Sequence, residues 1–161
     1  HPNFGDVSTL DVAGLPDFDL LCGGFPCQSF SIAGKRGGFT DTRGTLFFEI
    51  ERILRHKRPR YFLLENVKGL LSHEDGKTFA TIIRVLSDCG YDVQWDVLNS
   101  KNFGVPQNRE RVFIVGHLRG ERRPEVFPIK RIDPENKQSR QIRRKCSPIL
   151  CTREIDIPMM Y

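Results

Sequence analysis

A cysteine that follows a short apolar run has the clearest potential for covalent chemistry in this sequence. The run, residues 18–24, ends in two glycines, and Phe25, Pro26 and Cys27 come directly after it. Proline has a fixed φ and no N–H, so Pro26 favours a turn out of a sheet. A thiolate is a nucleophile, and nearby arginines or main-chain N–H groups favour the charged form. The pattern predicts a nucleophile at Cys27, whereas Cys22, inside the run, is typical of a buried structural cysteine.

An acidic side chain closes the next apolar run. Glu65 follows residues 60–64 and is followed by Asn66 and Val67. Open α/β sheets collect their reactive groups beyond the carboxyl ends of the strands. Glu65 is therefore expected at the same cleft as Cys27, where it can share a proton with a ring nitrogen. Taken alone, such a glutamate is also typical of a loop cap or an ion-pair partner.

Two arginines precede a further apolar strand. Arg109 and Arg111 are two residues apart and lead into residues 112–116. Alternate side chains of an extended segment point the same way, so the two guanidinium groups predict a cationic fork that can hold carbonyl oxygens or phosphates. Basic residues beside an edge strand also serve solubility alone.

Together these segments resemble one known family. FPCQSFS, ENV and QNRER, in this order, resemble motifs IV, VI and VIII of the cytosine-5 DNA methyltransferases, and the intervening GKRGGFTDTRGTLFFE is also similar to that family. The resemblance implies transfer of a methyl group from S-adenosylmethionine to carbon-5 of cytosine, with the base flipped out of the DNA duplex. Cys27 would attack carbon-6, Glu65 would bind nitrogen-3 and the exocyclic amine, and Arg109 and Arg111 would support the base oxygen.

The same resemblance implies two further sets of contacts. The residues expected to bind S-adenosylmethionine, the first two of them at adenine, are Asp6, Val7, Pro26 and Leu46. The residues expected near the DNA backbone or the emptied base site are Gln28, Ser31 and Arg43. No metal ligand set is expected, because the five cysteines show no paired spacing for zinc or for a disulfide framework.

Apolar spacing predicts the elements that position these groups. Strands are predicted at 4–7, 18–24, 60–66, 91–98 and 111–118, and helices at 44–56 and 77–89. The runs 18–24 and 60–66 are typical of strands buried on both faces of a parallel sheet, and the last two strands can form an antiparallel hairpin. The predicted fold class is α/β, an incomplete Rossmann-like sheet of the S-adenosylmethionine-dependent methyltransferase type, followed by an irregular basic segment.

The family's opening Gly-rich motif and closing motifs do not occur in the sequence. We expect residues 1–118 to form the second half of the sheet of a catalytic methyltransferase domain, and residues 119–161 to form a linker and the start of a target-recognition region. A fragment of a longer enzyme is the expected explanation, with a natural split enzyme or a decayed gene as alternatives. A complementary polypeptide that carries the missing motif is then a candidate partner.

The excess of positive charge lies in one short stretch. Residues 119–145 carry 10 basic and 4 acidic side chains, which suits contacts with DNA phosphates but also suits a solvated linker. Double-stranded DNA is the expected substrate, and a cognate restriction endonuclease is a further candidate partner. No apolar run approaches a membrane span, so a cytoplasmic protein is expected, associated with the nucleoid if the host is bacterial.

Three other functions remain open from the sequence. An RNA cytosine-5 methyltransferase shares the chemistry, although its nucleophile loop tends to read Pro-Pro-Cys where this chain has Phe25-Pro26-Cys27. A silent fragment or subunit of a split DNA methyltransferase would keep the DNA surface without the chemistry. A cysteine hydrolase needs a histidine base beside the thiol, and His56 and His73 are the candidates by position.

Overall fold

The computed structural model describes residues 3–26, 45–120, 125–129 and 154–156. Of the predicted site residues, Cys27, Gln28, Ser31 and Arg43 lie outside the described residues. The strands and helices, in chain order, are β1 (Leu20–Gly24), α1 (Thr45–Lys57), β2 (Tyr61–Val67), α2 (Lys77–Asp88), β3 (Tyr91–Asn99), β4 (Glu110–Leu118) and β5 (Glu154–Asp156). The predicted α/β class is confirmed.

One sheet contains all five described strands, in the order β3-β4-β2-β1-β5. β1 is parallel to β2 and to β5, whereas β4 is antiparallel to both of its neighbours, β2 and β3. The predicted hairpin of the last two long strands is thereby confirmed. Because β4 alone runs the other way, β1, β2 and β3 finish at the same end of the sheet at which β4 begins. This end is called here the carboxyl end of the sheet, and Glu65 and Arg111 lie near it.

The two helices begin and end close to the predicted positions, for local reasons. α1 carries Arg55, His56 and Lys57 in its last turn, where positive charge stabilises the helix dipole, and Pro59 follows shortly after. α2 ends at Asp88, and Gly90 then takes a φ of +94°, which glycine adopts without strain. Both helices supply an apolar stripe to one core.

The core lies on one face of the sheet, called here the helical face. Side chains alternate between the faces of a strand, and the register puts Phe62, Leu64 and Asn66 of β2 on the same face as Val112 and Ile114 of β4. These side chains are buried. The apolar side chains among them form one cluster with α1 residues Phe47, Ile53 and Leu54 and α2 residues Ile82 and Leu86.

The opposite face, called here the open face, is only partly covered. It carries Leu63, Glu65 and Val67 of β2 together with Arg111 and the other odd-numbered residues of β4. Leu63 is 37% exposed and Val67 is 41% exposed. The expectation that this strand is buried on both faces is therefore wrong for the described chain, because neither described helix packs on the open face.

Two segments differ from the predicted elements. Residues 4–7 do not form a strand; a short 3-10 turn, Val7–Thr9, follows Asp6 instead. The Asp6 carboxylate accepts hydrogen bonds from the main chain and hydroxyl of Ser8, and such local bonds compete with strand pairing. At the other end of the chain Glu154–Asp156 pairs with β1, in a region where three residues are too few to give a periodic signal.

Neither of the two described α-helices has the length and hydropathy needed to span a bilayer. Within the described ranges, no cluster of three or more histidine, cysteine or acidic side chains could hold a metal ion.

Candidate active site

Glu65 and Arg111 meet at the carboxyl end of the sheet. Val67 of β2 pairs with Arg111 of β4, so Glu65, two residues before Val67, projects from the same face as Arg111. The Arg111 Nε atom lies 2.7 Å from Glu65 Oε1, and the two side chains are 22% and 25% exposed. The distance is typical of a charge-assisted hydrogen bond. The pair holds the carboxylate in one orientation at a surface that a ligand can reach.

Arg109 lies just before β4 and its side chain is exposed. Its N–H donates to the Gln107 carbonyl, and its own carbonyl accepts from the Ser100 N–H, each at 3.1 Å. The Asn99 side chain also donates to Asn108 Oδ1 at 2.6 Å. The end of β3 therefore holds the loop that carries Arg109. Of the predicted fork, the structure brings Arg111 to Glu65 and places Arg109 on the exposed rim.

Asn66 connects β2 to the chain that leaves β1. Its side chain is only 3% exposed, and its Nδ2 donates to the Phe25 carbonyl at 2.7 Å. Its Oδ1 accepts from the Val67 N–H at 2.8 Å. The bond to Phe25 fixes the main chain two residues before Cys27. The sequence interpretation gave Asn66 no role; the signal was a polar residue on the helical face of an otherwise apolar strand.

Phe25 and Pro26 mark the exit from β1. Phe25 is buried, and its ring centroid lies 5.3 Å from that of Phe47 on α1. Pro26, half-buried, is the last described residue before Cys27. Leu46, in the first turn of α1, is partly buried against the core. The exit of β1 and the start of α1 are thus packed together by apolar contacts on the helical face.

Asp6 and Val7 lie in the segment before β1, near α1. Asp6 Oδ1 accepts from the Ser8 N–H at 2.8 Å and from the Ser8 hydroxyl at 2.7 Å. The Ser8 main-chain hydrogen bond, followed by the hydroxyl bond, lowers the pKa of Asp6 below its ordinary value. An ionised carboxylate beside a main-chain N–H is the donor and acceptor pair that the amino edge of adenine requires. The chemistry of these residues fits the adenine portion of S-adenosylmethionine.

Comparison with known proteins relates the whole arrangement to one family. The family model for C-5 cytosine-specific DNA methylases matches residues 1–151. The type II methyltransferase M.HpaII of Haemophilus parainfluenzae is 58% identical over 123 residues, a match that covers 71% of this chain and 34% of the relative. The orphan methyltransferase M.Rho11sI of Bacillus phage rho11s is 58% identical over 114 residues, which covers 71% of this chain and 23% of the relative.

A solved structure agrees with the sequence comparison. The structure of S. pombe Dnmt2 methyltransferase superposes with a TM-score of 0.59 at 29% identity, and the match covers 75% of this chain and 38% of that one. The chain thus spans about a quarter to a third of the length of these curated relatives. Since the family model matches most of its residues, the chain belongs to the C-5 cytosine-specific DNA methylase family.

Proposed function

We propose that this chain is part of the catalytic domain of an enzyme that methylates carbon-5 of cytosine in duplex DNA. The observation that carries the proposal is the 2.7 Å contact of Arg111 with Glu65 at the carboxyl end of the sheet. It lies at the end of β2, and the neighbouring residue, Asn66, holds the main chain that leads to Cys27. An acid, a guanidinium group and a thiol would then surround a single flipped base.

In the proposed reaction Cys27 forms a covalent bond from its sulfur to carbon-6 of the cytosine. The addition moves electron density onto carbon-5. In the unmodified aromatic ring, carbon-5 is too weak a nucleophile to accept a methyl group. Glu65 holds nitrogen-3 and the exocyclic amine, and so stabilises the ring as charge builds up there. Arg111 keeps the Glu65 carboxylate oriented, while Arg109 contacts the base oxygen from the rim. Once carbon-5 carries a methyl group, its proton passes to solvent, the electron pair of that bond re-forms the double bond to carbon-6, and Cys27 leaves as a thiolate.

S-adenosylmethionine would supply the methyl group. Asp6 and Val7 would hold its adenine, while Pro26 and Leu46 would lie near its methionine part. DNA would be contacted by Gln28, Ser31 and Arg43. Residues 1–118 would form the catalytic part of the chain, and residues 119–161 would form the recognition part.

Further protein is expected to complete this domain. Apolar side chains stand on the open face, and such faces are normally covered in α/β sheets with helices on both sides. The chain also spans only 34% of M.HpaII. We therefore include in the proposal a complementary polypeptide, either in the same longer chain or separate, that carries the missing Gly-rich motif. Relatives named type II methyltransferases support a cognate restriction endonuclease as a second partner. The place of action would be the cytoplasm, at the nucleoid in a bacterial host.

Trapping on 5-fluorocytosine tests the proposal. Fluorine cannot leave carbon-5 as a proton does, so the adduct persists after methyl transfer. The chain is incubated with S-adenosylmethionine and duplex DNA containing 5-fluorocytosine, alone and with the part of M.HpaII that lies outside its match to this chain. We expect a covalent protein–DNA complex by mass spectrometry, at least in the complemented form. Cys27→Ser should abolish it, and Cys22→Ser, a matched cysteine change, should leave it.

The other possible outcomes each contradict the proposal. A complex that forms on a 5-fluorocytosine-containing RNA but not on DNA would move the substrate to the RNA branch. A complex that survives Cys27→Ser would exclude this nucleophile. DNA binding without a complex in either form would leave a binding subunit that does no chemistry.

A further inference from the structure

The segment before β1 is fastened to α1 by a single guanidinium group at the point where it turns. Arg52, on α1, donates to the Val7 carbonyl at 3.0 Å and to the Leu10 carbonyl at 2.9 Å. These two carbonyls lie on either side of the Val7–Thr9 turn. Glu49, one helical turn earlier, accepts from Arg52 Nε at 2.6 Å and holds the guanidinium group in place. Arg52 therefore brackets the turn from both ends.

Besides Arg52, the turn is stabilised by the hydrogen bonds of Asp6 with Ser8 and by partial packing of Val7 and Leu10 against the core. None of the residues Val7–Thr9 is buried, and an isolated 3-10 turn has poor hydrogen-bond geometry. Its internal bonds, Thr9 N–H to the Asp6 carbonyl at 3.2 Å and Leu10 N–H to the Val7 carbonyl at 3.4 Å, are long. The fully buried apolar residues of the segment, Val12 and Leu15, come later in the chain. The conformation of Asp6 and Val7 is thus held by partial packing of Val7 and by hydrogen bonds, two of which come from Arg52.

We propose that Arg52 is a positioning residue for the cofactor, which it serves by fixing the Asp6–Val7 main chain before adenine binds. This inference rests on the proposed function, since that function is what makes Asp6 and Val7 the adenine contacts. Arg52 itself does not contact the cofactor. A turn that is already formed does not have to be ordered when the cofactor binds. The role of Arg52 therefore appears in the affinity for the cofactor and not in the rate of the chemical step.

α1 also provides a matched control. Lys57, five residues after Arg52, donates to the Leu15 carbonyl at 2.5 Å and lies 3.4 Å from the Ala13 carbonyl and from Asp17 Oδ1. It fastens the same segment to the same helix, but beyond the turn. Lys57→Met should therefore disturb the later part of the segment and leave the Asp6–Val7 turn in place.

The first measurement is amide hydrogen exchange in the chain itself. In Arg52→Met, we expect exchange of the Thr9 and Leu10 amides to be faster by about tenfold, because two charge-assisted bonds to the turn are lost. Arg52→Lys, which keeps one donor, should restore part of the protection. Lys57→Met should leave both amides unchanged. Unchanged exchange in Arg52→Met would overturn the inference at its structural step.

The second measurement is cofactor binding. Titration of the chain with S-adenosylmethionine, followed through the Val7 and Ser8 amide signals, should give a Kd about tenfold weaker for Arg52→Met than for the parent or Lys57→Met. In the complemented enzyme the KM for the cofactor should rise while kcat stays within about twofold of the parent. Equal cofactor affinities of the parent and Arg52→Met would overturn the positioning role alone. A parent that neither binds the cofactor nor methylates DNA would overturn the proposed function and this inference with it.

Discussion

Glu65 and Arg111 form an ion pair at the carboxyl end of the sheet, from two strands that are antiparallel neighbours. The sequence indicated Glu65 because it follows an apolar run. It indicated Arg111 only as one of two arginines in a cationic fork, and not as the partner of Glu65. Their pairing depends on the register of two strands that are 43 residues or more apart along the chain, which no local pattern encodes. Asn66 was missed for the same reason, since its partner is the main-chain oxygen of Phe25, which lies just after β1.

If Glu65 has the proposed role, Glu65→Gln should slow methyl transfer by about two to three orders of magnitude, because the amide keeps the shape of the side chain but loses the charge that pairs with Arg111. The measurement is methyl incorporation into duplex DNA by the complemented enzyme. Glu51→Gln, which breaks the surface pair with Arg55, is the control and should react at the parental rate. A Glu65→Gln enzyme as fast as this control would contradict the role.

Asn66→Ala should lower the free energy of unfolding by about 1–3 kcal/mol, because the buried Phe25 carbonyl and Val67 N–H both lose a partner. Urea denaturation of the chain measures the change. Asn102→Ala alters a half-buried asparagine in the turn after β3 and should cost less than about 0.5 kcal/mol. Equal stability of the two variants would show that the tie to Phe25 contributes nothing.

At the scale of elements, periodicity was a good guide where an element packs on one side. Both helices were predicted within one or two residues, since an apolar stripe facing a core gives a clear 3.6-residue repeat. The prediction failed where a polar side chain reorganised the backbone, as at Asp6, and on the open face of β2, where Leu63 and Val67 are exposed. The first case is decided by a local partner, Ser8, and the second by packing between elements that are distant in sequence.

One contact between strands has no sequence signal at all. Phe62 of β2 pairs with Gly116 of β4, and a Cβ on Gly116 would lie 2.0 Å from the Phe62 ring. Gly116→Ala should therefore destabilise the chain by about 1–3 kcal/mol, as overpacking does. Gly23, a strand glycine on the same face, has no atom within 4 Å of such a Cβ, so Gly23→Ala is the matched control. Thermal unfolding that affects the two variants alike would refute the steric explanation.

In the described part of the chain, the helical face of the sheet is covered by α1 and α2, and the open face is only partly covered. Leu63 and Leu64 are neighbours on β2 that test this asymmetry, since Leu63 is 37% exposed and Leu64 is fully buried. Leu63→Lys should leave the stability of the chain within about 0.5 kcal/mol of the parent but weaken its association with the complementary polypeptide. Leu64→Lys should unfold the chain. Analytical ultracentrifugation and circular dichroism separate the two effects, and undiminished association of Leu63→Lys would exclude the open face as the contact.

Two ionisable groups in the core predict a loss of stability at alkaline pH. Burial raises the pKa of Cys89 above its ordinary value of 9.0 and that of Tyr91 above 10.0. Both groups are neutral when folded and ionise more readily when unfolded, so the free energy of unfolding should hold up to about pH 9 and fall as the pH rises further. Urea denaturation at pH values from about 7 to about 10.5 measures this decline in the free energy of unfolding. Cys89→Ala and Tyr91→Phe should each flatten the decline, and a flat parental profile would contradict it.

The glycine beneath the Phe62 ring has a consequence for the reactive end of the sheet. Only a residue without a side chain can lie opposite that ring, so a slide of β4 by one position would force Val115 or His117 against it, and a slide by two would bring Ile114 or Leu118. Gly116 lies five residues from Arg111, about 17 Å along the strand. The alignment that joins Arg111 to Glu65 therefore also depends on a contact about 17 Å away, and a looser fit at Gly116 would misalign this pair without a substitution at either residue.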